Sequence, residues 1–154
     1  MFRSPFTLFR ALAFAEVVSW TLLIGGLLVR ATTGWAPAVT IGGGIHGFVF
    51  LSYGATVVLV ALNNRWRVAP TLLALLSAIV PYATIPAERW THRRGMLAGE
   101  WRTTPDASAS DARWYDRPLA WFLRRPWVLF LALLVLVAAI FAVLLVIGPP
   151  GGRS

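Results

Sequence analysis

The sequence predicts an all-α integral membrane protein with four transmembrane helices: an antiparallel bundle of three, then a long interfacial connection and a fourth helix. Two observations predict this fold class. Of the 154 residues, 58% are hydrophobic and only 13% are charged, whereas soluble domains carry about 25% charged residues. Four apolar stretches are each close to the roughly 20 residues that a helix needs to cross a bilayer. A soluble globular domain, a disordered tail and a fibre are excluded as classes.

The four predicted spans differ in the side chains that interrupt them. They cover residues 11–29, 38–62, 68–86 and 127–147. The first contains one charge, Glu16, and the second contains His46 but no formal charge. The third should bend at Pro81, because proline removes a helical hydrogen bond. The alternative interpretation of the first span is a signal peptide, but its length and its acid favour a retained helix.

A basic connection, residues 87–126, separates the three-helix domain of residues 1–90 from the fourth span. Residues 103–112 are rich in Pro, Ser, Ala and Asp, and the 148–154 tail is rich in Gly and Pro; both compositions are typical of flexible segments. Residues 113–125 mix arginines with aromatic side chains, which predicts a short helix on the membrane surface. The predicted contacts to anionic lipid or a partner subunit are Arg89, Arg93, Arg94, Arg113, Arg117, Trp121, Arg124 and Arg125.

The charge of the chain is strongly positive and unevenly distributed. Fourteen arginines and no lysines oppose six acids, giving +8, and eight of these arginines lie in residues 87–126. With four spans, both termini share one side, which holds five arginines against nine on the other. The positive-inside rule then favours a cytoplasmic connection, whereas the arginines before the first span favour the opposite orientation. So apolar a chain is not expected to bind nucleic acid.

The predicted intramembrane polar residues, with a structural or a functional role, are Glu16, Ser19, His46, Tyr53 and Tyr82. Glu16 and His46 are the two ionisable side chains of note among them. An ionised carboxylate in a bilayer costs several kcal/mol, so Glu16 needs a partner. It could bind a proton, a cation or a lipid headgroup, or it could fix helix packing. The helix rise of about 1.5 Å per residue puts Glu16 about 10 Å and His46 about 20 Å from the terminus side. One predicted polar layer joins Glu16 to Tyr53 or Ser52. The other joins His46 to Tyr82, without a direct Glu16–His46 salt bridge.

The sequence indicates neither a catalytic constellation nor a cofactor. One intramembrane histidine without a second His, Met or Cys does not suit a haem with two protein ligands, and the chain has no cysteine for a thiolate site. We therefore expect no metal and no cofactor. Small residues allow close helix approach in lipid. The predicted helix-packing positions are Gly25, Gly26, Gly43 and Gly47.

Several short motifs occur in a characteristic order. They are Ala15-Glu16-Val17-Val18-Ser19-Trp20, Ile45-His46-Gly47, Arg65-Trp66 and Ile79-Val80-Pro81-Tyr82-Ala83-Thr84. Together they resemble the small bacterial integral-membrane family known as domain-of-unknown-function family 3817, over about residues 5–90. The resemblance implies a three-helix membrane domain without an established activity, to which the connection and the fourth span are added. The all-Arg, Ala-rich composition is typical of a GC-rich actinobacterium.

Three functions of different class fit these features in a bacterial cell membrane. The first is a non-catalytic accessory or scaffold subunit of a larger membrane complex, since the basic connection could hold a partner or anionic lipid. A respiratory cytochrome or oxidase assembly is the expected host. The alternative is a small proton-coupled carrier in which Glu16 titrates and His46 and Tyr82 lie along the path. A membrane enzyme with Glu16 or His46 as base is a third hypothesis.

Overall fold

The computed structural model describes residues 4–104 and 113–147, and these ranges are helical apart from short connections. The helices are α1 Pro5–Thr33, α2 Pro37–Asn63, α3 Val68–Ser77, α4 Thr84–Arg93, α5 Asp116–Leu123 and α6 Pro126–Ile147. The prediction of an all-helical fold is thus confirmed for the described ranges. Most of the predicted 103–112 linker and the whole 148–154 tail lie outside them.

Three helices of the described chain are long and apolar enough to cross a membrane. They are α1 with 29 residues, α2 with 27 and α6 with 22. At about 1.5 Å per residue, each exceeds the roughly 30 Å of a bilayer core. The predicted third span is not among these three helices.

Residues 68–86 form two short helices instead of one span. α3 ends at Ser77, an irregular turn follows, and α4 begins at Thr84. Pro81 lacks the N–H that would continue a helix and disfavours helical geometry in the residue before it, and Tyr82 adopts the left-handed φ of +66°. The ten-residue α3 is only about 15 Å long, half of a bilayer core. The prediction of one continuous span is therefore wrong, and the helix is interrupted where a bend was expected.

α1 and α2 pack closely along most of their length. Gly34 ends α1 with a φ of +76°, a left-handed conformation that glycine adopts without strain. The contacts between α1 and α2 pair residues near 26 with 38, residues near 22 with 42, and residue 19 with 46. Rising numbers in α1 thus meet falling numbers in α2, and the short connection accounts for this reversal.

The segments before and after the α3–α4 pair lie at one end of the molecule. The ring of Phe6 stacks on His92 with 4.5 Å between centroids, and Arg65 Nη2 donates to Asp116 Oδ2 at 3.1 Å. The 63–67 turn therefore lies beside the start of α1 and beside the basic connection. We call this the basic end. The four-span arrangement had put the 63–67 turn and the connection on opposite sides, and the contacts contradict it.

α6 starts at the basic end and runs alongside α2. Pro126 and Leu8 line the same apolar cavity, while Phe141, four turns further along, lies against Gly47. α6 therefore runs in the same direction as α1. Most of α6 is exposed, and Val137 is its one buried residue, as expected of a helix whose environment is lipid.

Candidate functional site

Glu16, Ser19 and His46 form one polar cluster between α1 and α2. Ser19 Oγ lies 2.9 Å from Glu16 Oε2 and 3.0 Å from His46 Nδ1. The carboxylate oxygen and the imidazole nitrogen are themselves 3.7 Å apart. Glu16 and Ser19 are buried, while 13% of the His46 side chain is exposed. The Ser19 hydroxyl thus bridges an acid and a base.

Helix geometry and two small residues account for this arrangement. Glu16 and Ser19 are three residues apart and share a face of α1. The Ser19 hydroxyl also contacts the Glu16 carbonyl oxygen at 2.9 Å, a bond back to its own helix. His46 follows Gly42 by one turn. A Cβ on Gly42 would lie 2.8 Å from the carbonyl oxygen of Leu22, so the missing side chain lets α2 approach α1 closely.

The predicted separation of Glu16 and His46 into two layers is wrong. The depth estimate started α1 at Ala11, but the helix begins at Pro5, and six residues correspond to about 9 Å. The earlier start has a sequence signal: Ser4 and Thr7 form a reciprocal capping box, and proline is favoured in the first helical turn. The predicted span began after the charged Arg10, which left out the first turns of the helix and made the predicted depth of Glu16 too small.

The residues expected to partner Glu16 and His46 bond elsewhere. The Tyr53 hydroxyl lies 3.2 Å from both the Ala74 carbonyl oxygen and Ser77 Oγ, and thus joins α2 to α3. Ser52 donates to the carbonyl oxygen of its own helix at Phe48. The Tyr82 hydroxyl accepts a long 3.5 Å bond from Thr21 and does not pair with His46.

The break between α3 and α4 packs against the cluster. Trp20 Nε1 donates to the Ala78 carbonyl oxygen at 3.1 Å, and its ring centroid is 4.3 Å from that of His46. On the other side of the break, Thr84 Oγ1 donates to the Ala13 carbonyl oxygen at 3.0 Å. Trp20 had no predicted role. Its position inside the first predicted span could have indicated a role, because Trp is normally enriched at membrane interfaces.

One oxygen of the acid has no hydrogen-bond partner in the described part of the chain. Glu16 Oε1 is buried and makes no hydrogen bond to any of the residues that the structure describes. Buried polar groups are normally satisfied, and an exception calls for a bound species or a change of protonation. In the described ranges, no group of three or more His, Cys, Asp or Glu side chains is close enough to hold a metal ion.

A family model for a domain of unknown function, DUF3817, matches residues 6–93. This match includes all of α1 except its first residue, the whole of α2 to α4, and every residue of the cluster. The chain belongs to the DUF3817 family. The predicted resemblance is confirmed.

One curated relative is the membrane protein named SCO5905 of Streptomyces coelicolor, which is 34% identical over 110 residues. These residues are 68% of this chain but 12% of the relative, so the chain spans about an eighth of that protein's length. No solved structure matches the chain.

The predicted glycine positions of this DUF3817 protein have different surroundings. A Cβ on Gly26 would lie 2.6 Å from the Ala38 carbonyl oxygen, so this position lies at the α1–α2 contact. A Cβ on Gly43 would make only an ordinary contact, at 3.8 Å, and one on Gly47 would meet Phe141 of α6 at 3.0 Å. Gly25 is not a packing position, because no described atom lies within 4 Å of its Cβ site. Gly42, which lies at the α1–α2 contact, was not among the predicted packing positions.

The predicted lipid-contact residues lie on α4, on α5 and in the segments that flank them. Arg89, Arg93, Arg94, Arg113, Arg117, Trp121, Arg124 and Arg125 are all exposed. Several contact aromatic rings or backbone: the Arg125 guanidinium lies 4.5 Å from the Trp121 ring centroid, and Arg124 Nε donates to the Thr103 carbonyl oxygen at 2.6 Å. None of them belongs to the cluster around Glu16.

Asp116 is a buried acid at the basic end. Its Oδ2 accepts a hydrogen bond from the Arg113 backbone N–H at 2.8 Å, and this bond, with the charges of Arg65 and Arg102, holds the pKa of its carboxyl below the usual range. Asp116 therefore stays ionised. It fixes α5 against the α2–α3 turn.

Proposed function

We propose that this protein is a small proton-coupled carrier of the bacterial cell membrane, in which Glu16 takes up and releases a proton. The observation that carries the proposal is the bridge from Glu16 through Ser19 to His46, over contacts of 2.9 and 3.0 Å. An ionisable acid inside a membrane helix is costly and commonly marks a proton or ion pathway. Here it lies within reach of a base that can share its proton.

The cluster has two self-consistent arrangements of hydrogen bonds. Ser19 has one hydroxyl proton and can give it to one neighbour at a time. In the neutral arrangement, protonated Glu16 donates to Ser19 Oγ, and Ser19 donates to His46 Nδ1. In the ionised arrangement, His46 Nδ1–H donates to Ser19, and Ser19 donates to Glu16 Oε2. The two differ by one proton moved from Oε2 to Nδ1, with Ser19 exchanging its own proton on the way.

The proton would enter and leave the cluster through His46. Its side chain is 13% exposed, whereas Glu16 is fully buried. The α3–α4 break supports this direction, since non-helical backbone at membrane depth occurs where it is buried in protein or lines a water-filled cavity. Val80, in the break, is 56% exposed. A proton would thus pass between Glu16 and the surface of the break by way of His46.

Glu16→Gln should abolish proton uptake, because an amide cannot take up or release the proton at neutral pH. The purified protein is reconstituted in vesicles containing a pH-sensitive dye, and a potassium gradient with valinomycin drives inward proton movement. The Glu100→Gln protein is the matched control, since Glu100 is an exposed acid outside the cluster. We expect the control to equal wild type and His46→Gln to slow the uptake.

Infrared difference spectra recorded across pH test proton binding separately from transport. Wild type and Glu100→Gln should share a carboxylic acid band that Glu16→Gln lacks. Equal proton uptake by Glu16→Gln and Glu100→Gln would contradict the proposal. If the band responds to pH but uptake is absent in all forms, Glu16 binds a proton without a carrier role.

A second candidate is a non-catalytic subunit of a larger membrane assembly, such as a respiratory cytochrome or oxidase complex. One observation favours it: in the Streptomyces relative, the matching segment makes up 12% of a much longer chain. A segment that is covalently part of a large membrane protein in one organism can act as its separate subunit in another. The exposed α6, with one buried residue, would give such a host a docking helix.

Purification in a mild detergent tests the accessory role. If the chain is a subunit, it should co-purify with a larger membrane complex at a fixed ratio, and the complex should persist through size-exclusion chromatography. α6 offers a matched pair of variants: Val137→Trp at its buried position should reduce the complex through misplacement of α6, whereas Val146→Trp at a 79% exposed position should be milder. Recovery of the wild-type chain alone or as a homo-oligomer would contradict the accessory role.

A further inference from the structure

A cleft of about 900 Å³ opens at the basic end, away from the Glu16 cluster. It lies between the first turn of α3, the last turn of α4 and the 95–102 loop. Its polar and aromatic walls include Arg65, Arg67, Arg94, Arg102, Trp66 and Trp90. Arginines beside indole rings at the end of apolar helices are suited to a phosphate group at a membrane surface.

The loop wall of the cleft is fixed by hydrogen bonds from the α2–α3 turn. Asn64 Nδ2 and Trp66 Nε1 both donate to the Met96 carbonyl oxygen, at 2.7 and 2.8 Å. The loop bends through Gly95 and Gly99, whose φ values of +68° and +95° favour glycine. The wall is thus preorganised, which lowers the entropy cost of binding.

The cleft arginines fall into two pairs with different surroundings. Arg65 and Arg102 lie 3.1 and 3.9 Å from the two oxygens of Asp116. Arg67 and Arg94 are exposed, and within the described ranges no carboxylate lies within 4 Å of either. The Arg94 guanidinium lies 4.6 Å from the Trp90 ring centroid, which leaves its N–H edges available. Arg67 and Arg94 are the donors that a ligand would meet.

The cleft continues into an apolar surface on α3. Ala69, Pro70 and Leu73 line its inner side. Below them, Leu72 is 51% exposed and Leu76 is 58% exposed, and both lie on the helix that leads into the membrane. A soluble anion would not use this surface, whereas the acyl chains of a lipid would cover it.

We propose that this cleft binds the headgroup phosphate of an anionic phospholipid through Arg67 and Arg94, with the acyl chains along α3. The first turn of α3 adds a favourable field, since a helix N-terminus is positive. Glu100 is the acid among the lining residues, and its exposed carboxylate disfavours a ligand of high negative charge. A monoanionic phosphodiester therefore fits better than free inorganic phosphate.

Native mass spectrometry of the delipidated full chain in detergent measures the binding. The probes are phosphatidylglycerol, phosphatidylcholine and inorganic phosphate, each titrated separately. Phosphatidylglycerol should bind most tightly, and Arg67→Gln/Arg94→Gln should weaken it about tenfold or more, as two lost arginine–phosphate contacts imply. Arg10→Gln/Arg30→Gln is the matched control, because it removes the same charge from exposed positions outside the cleft.

The control pair should leave the affinity for phosphatidylglycerol within about twofold of wild type, and circular dichroism should show all forms equally helical. Equal losses in both double variants would overturn the proposal, because binding would then follow the total surface charge. Phosphate bound as tightly as phosphatidylglycerol would assign the cleft to a soluble anion and overturn the lipid assignment.

Discussion

Replacing Gly42 by alanine should destabilise the protein by about 1–3 kcal/mol, the range of an added methyl group in a packed core. The new Cβ would lie 2.8 Å from the Leu22 carbonyl oxygen and 3.2 Å from the Leu23 Cα. Both are backbone atoms of α1, which cannot rotate away as a side chain could. α2 would have to move outward, and His46, one turn further along, would leave Ser19.

Gly44→Ala is the matched control for this substitution. Gly44 is on the same helix, and a Cβ there meets nothing within 4 Å among the described residues. Alanine favours a helix over glycine by up to about 1 kcal/mol, so Gly44→Ala should leave the melting temperature in detergent unchanged or raise it. Thermal unfolding followed by circular dichroism measures both variants. If Gly42→Ala and Gly44→Ala have the same melting temperature, the close contact of α1 and α2 is not what positions His46.

The long helices of this fold could be predicted from hydropathy alone. The predicted spans 11–29, 38–62 and 127–147 fall inside α1, α2 and α6, since a run of apolar residues is what a bilayer requires. Their ends were less predictable. Ser4 and Arg10 belong to the cap and the first turns of α1, and such polar turns at a membrane surface carry no hydropathy signal.

The third predicted span shows where hydropathy fails. Residues 68–86 are apolar enough, but Pro81 and the left-handed Tyr82 set the backbone conformation, and mean hydropathy does not register either. The Thr84 hydroxyl then bonds to the Ala13 carbonyl oxygen, a contact between segments 71 residues apart in the chain. Sequence spacing could not predict this contact, because it depends on how the chain reverses.

The Glu16 cluster was predictable in its members but not in its geometry. Glu16 and His46 stood out because ionisable groups are rare inside membrane helices. Ser19 was also predicted as an intramembrane polar residue, and its spacing from Glu16 puts it on the same face of α1. The predicted depth of Glu16 was wrong by about 9 Å. This error is larger than the length of any hydrogen bond, so the contact between Glu16 and His46 could not be predicted. Small shifts of register therefore decide whether an acid and a base meet.

An impermeant maleimide should label cysteines at Trp35 and at Arg117 from opposite sides of the membrane. If α3 and α4 enter and leave on one side, α1, α2 and α6 are the only crossings within the described ranges. Trp35, in the α1–α2 connection, and Arg117, on α5, then lie across the bilayer from each other. Four crossings would put both on the same side. Because the chain has no native cysteine, each single Cys variant reports one position.

The arginines predict which side is which. Of the twelve arginines in the described ranges, eleven lie on elements gathered at the basic end, and Arg30 lies near the opposite end of α1. Under the positive-inside rule so large a difference assigns the basic end to the cytoplasm. In intact cells Trp35→Cys should react, and Arg117→Cys should react only after permeabilisation. Labelling of both residues in intact cells would restore the four-crossing arrangement, and would move the phospholipid cleft away from the cytoplasmic leaflet, where anionic lipids attract basic segments.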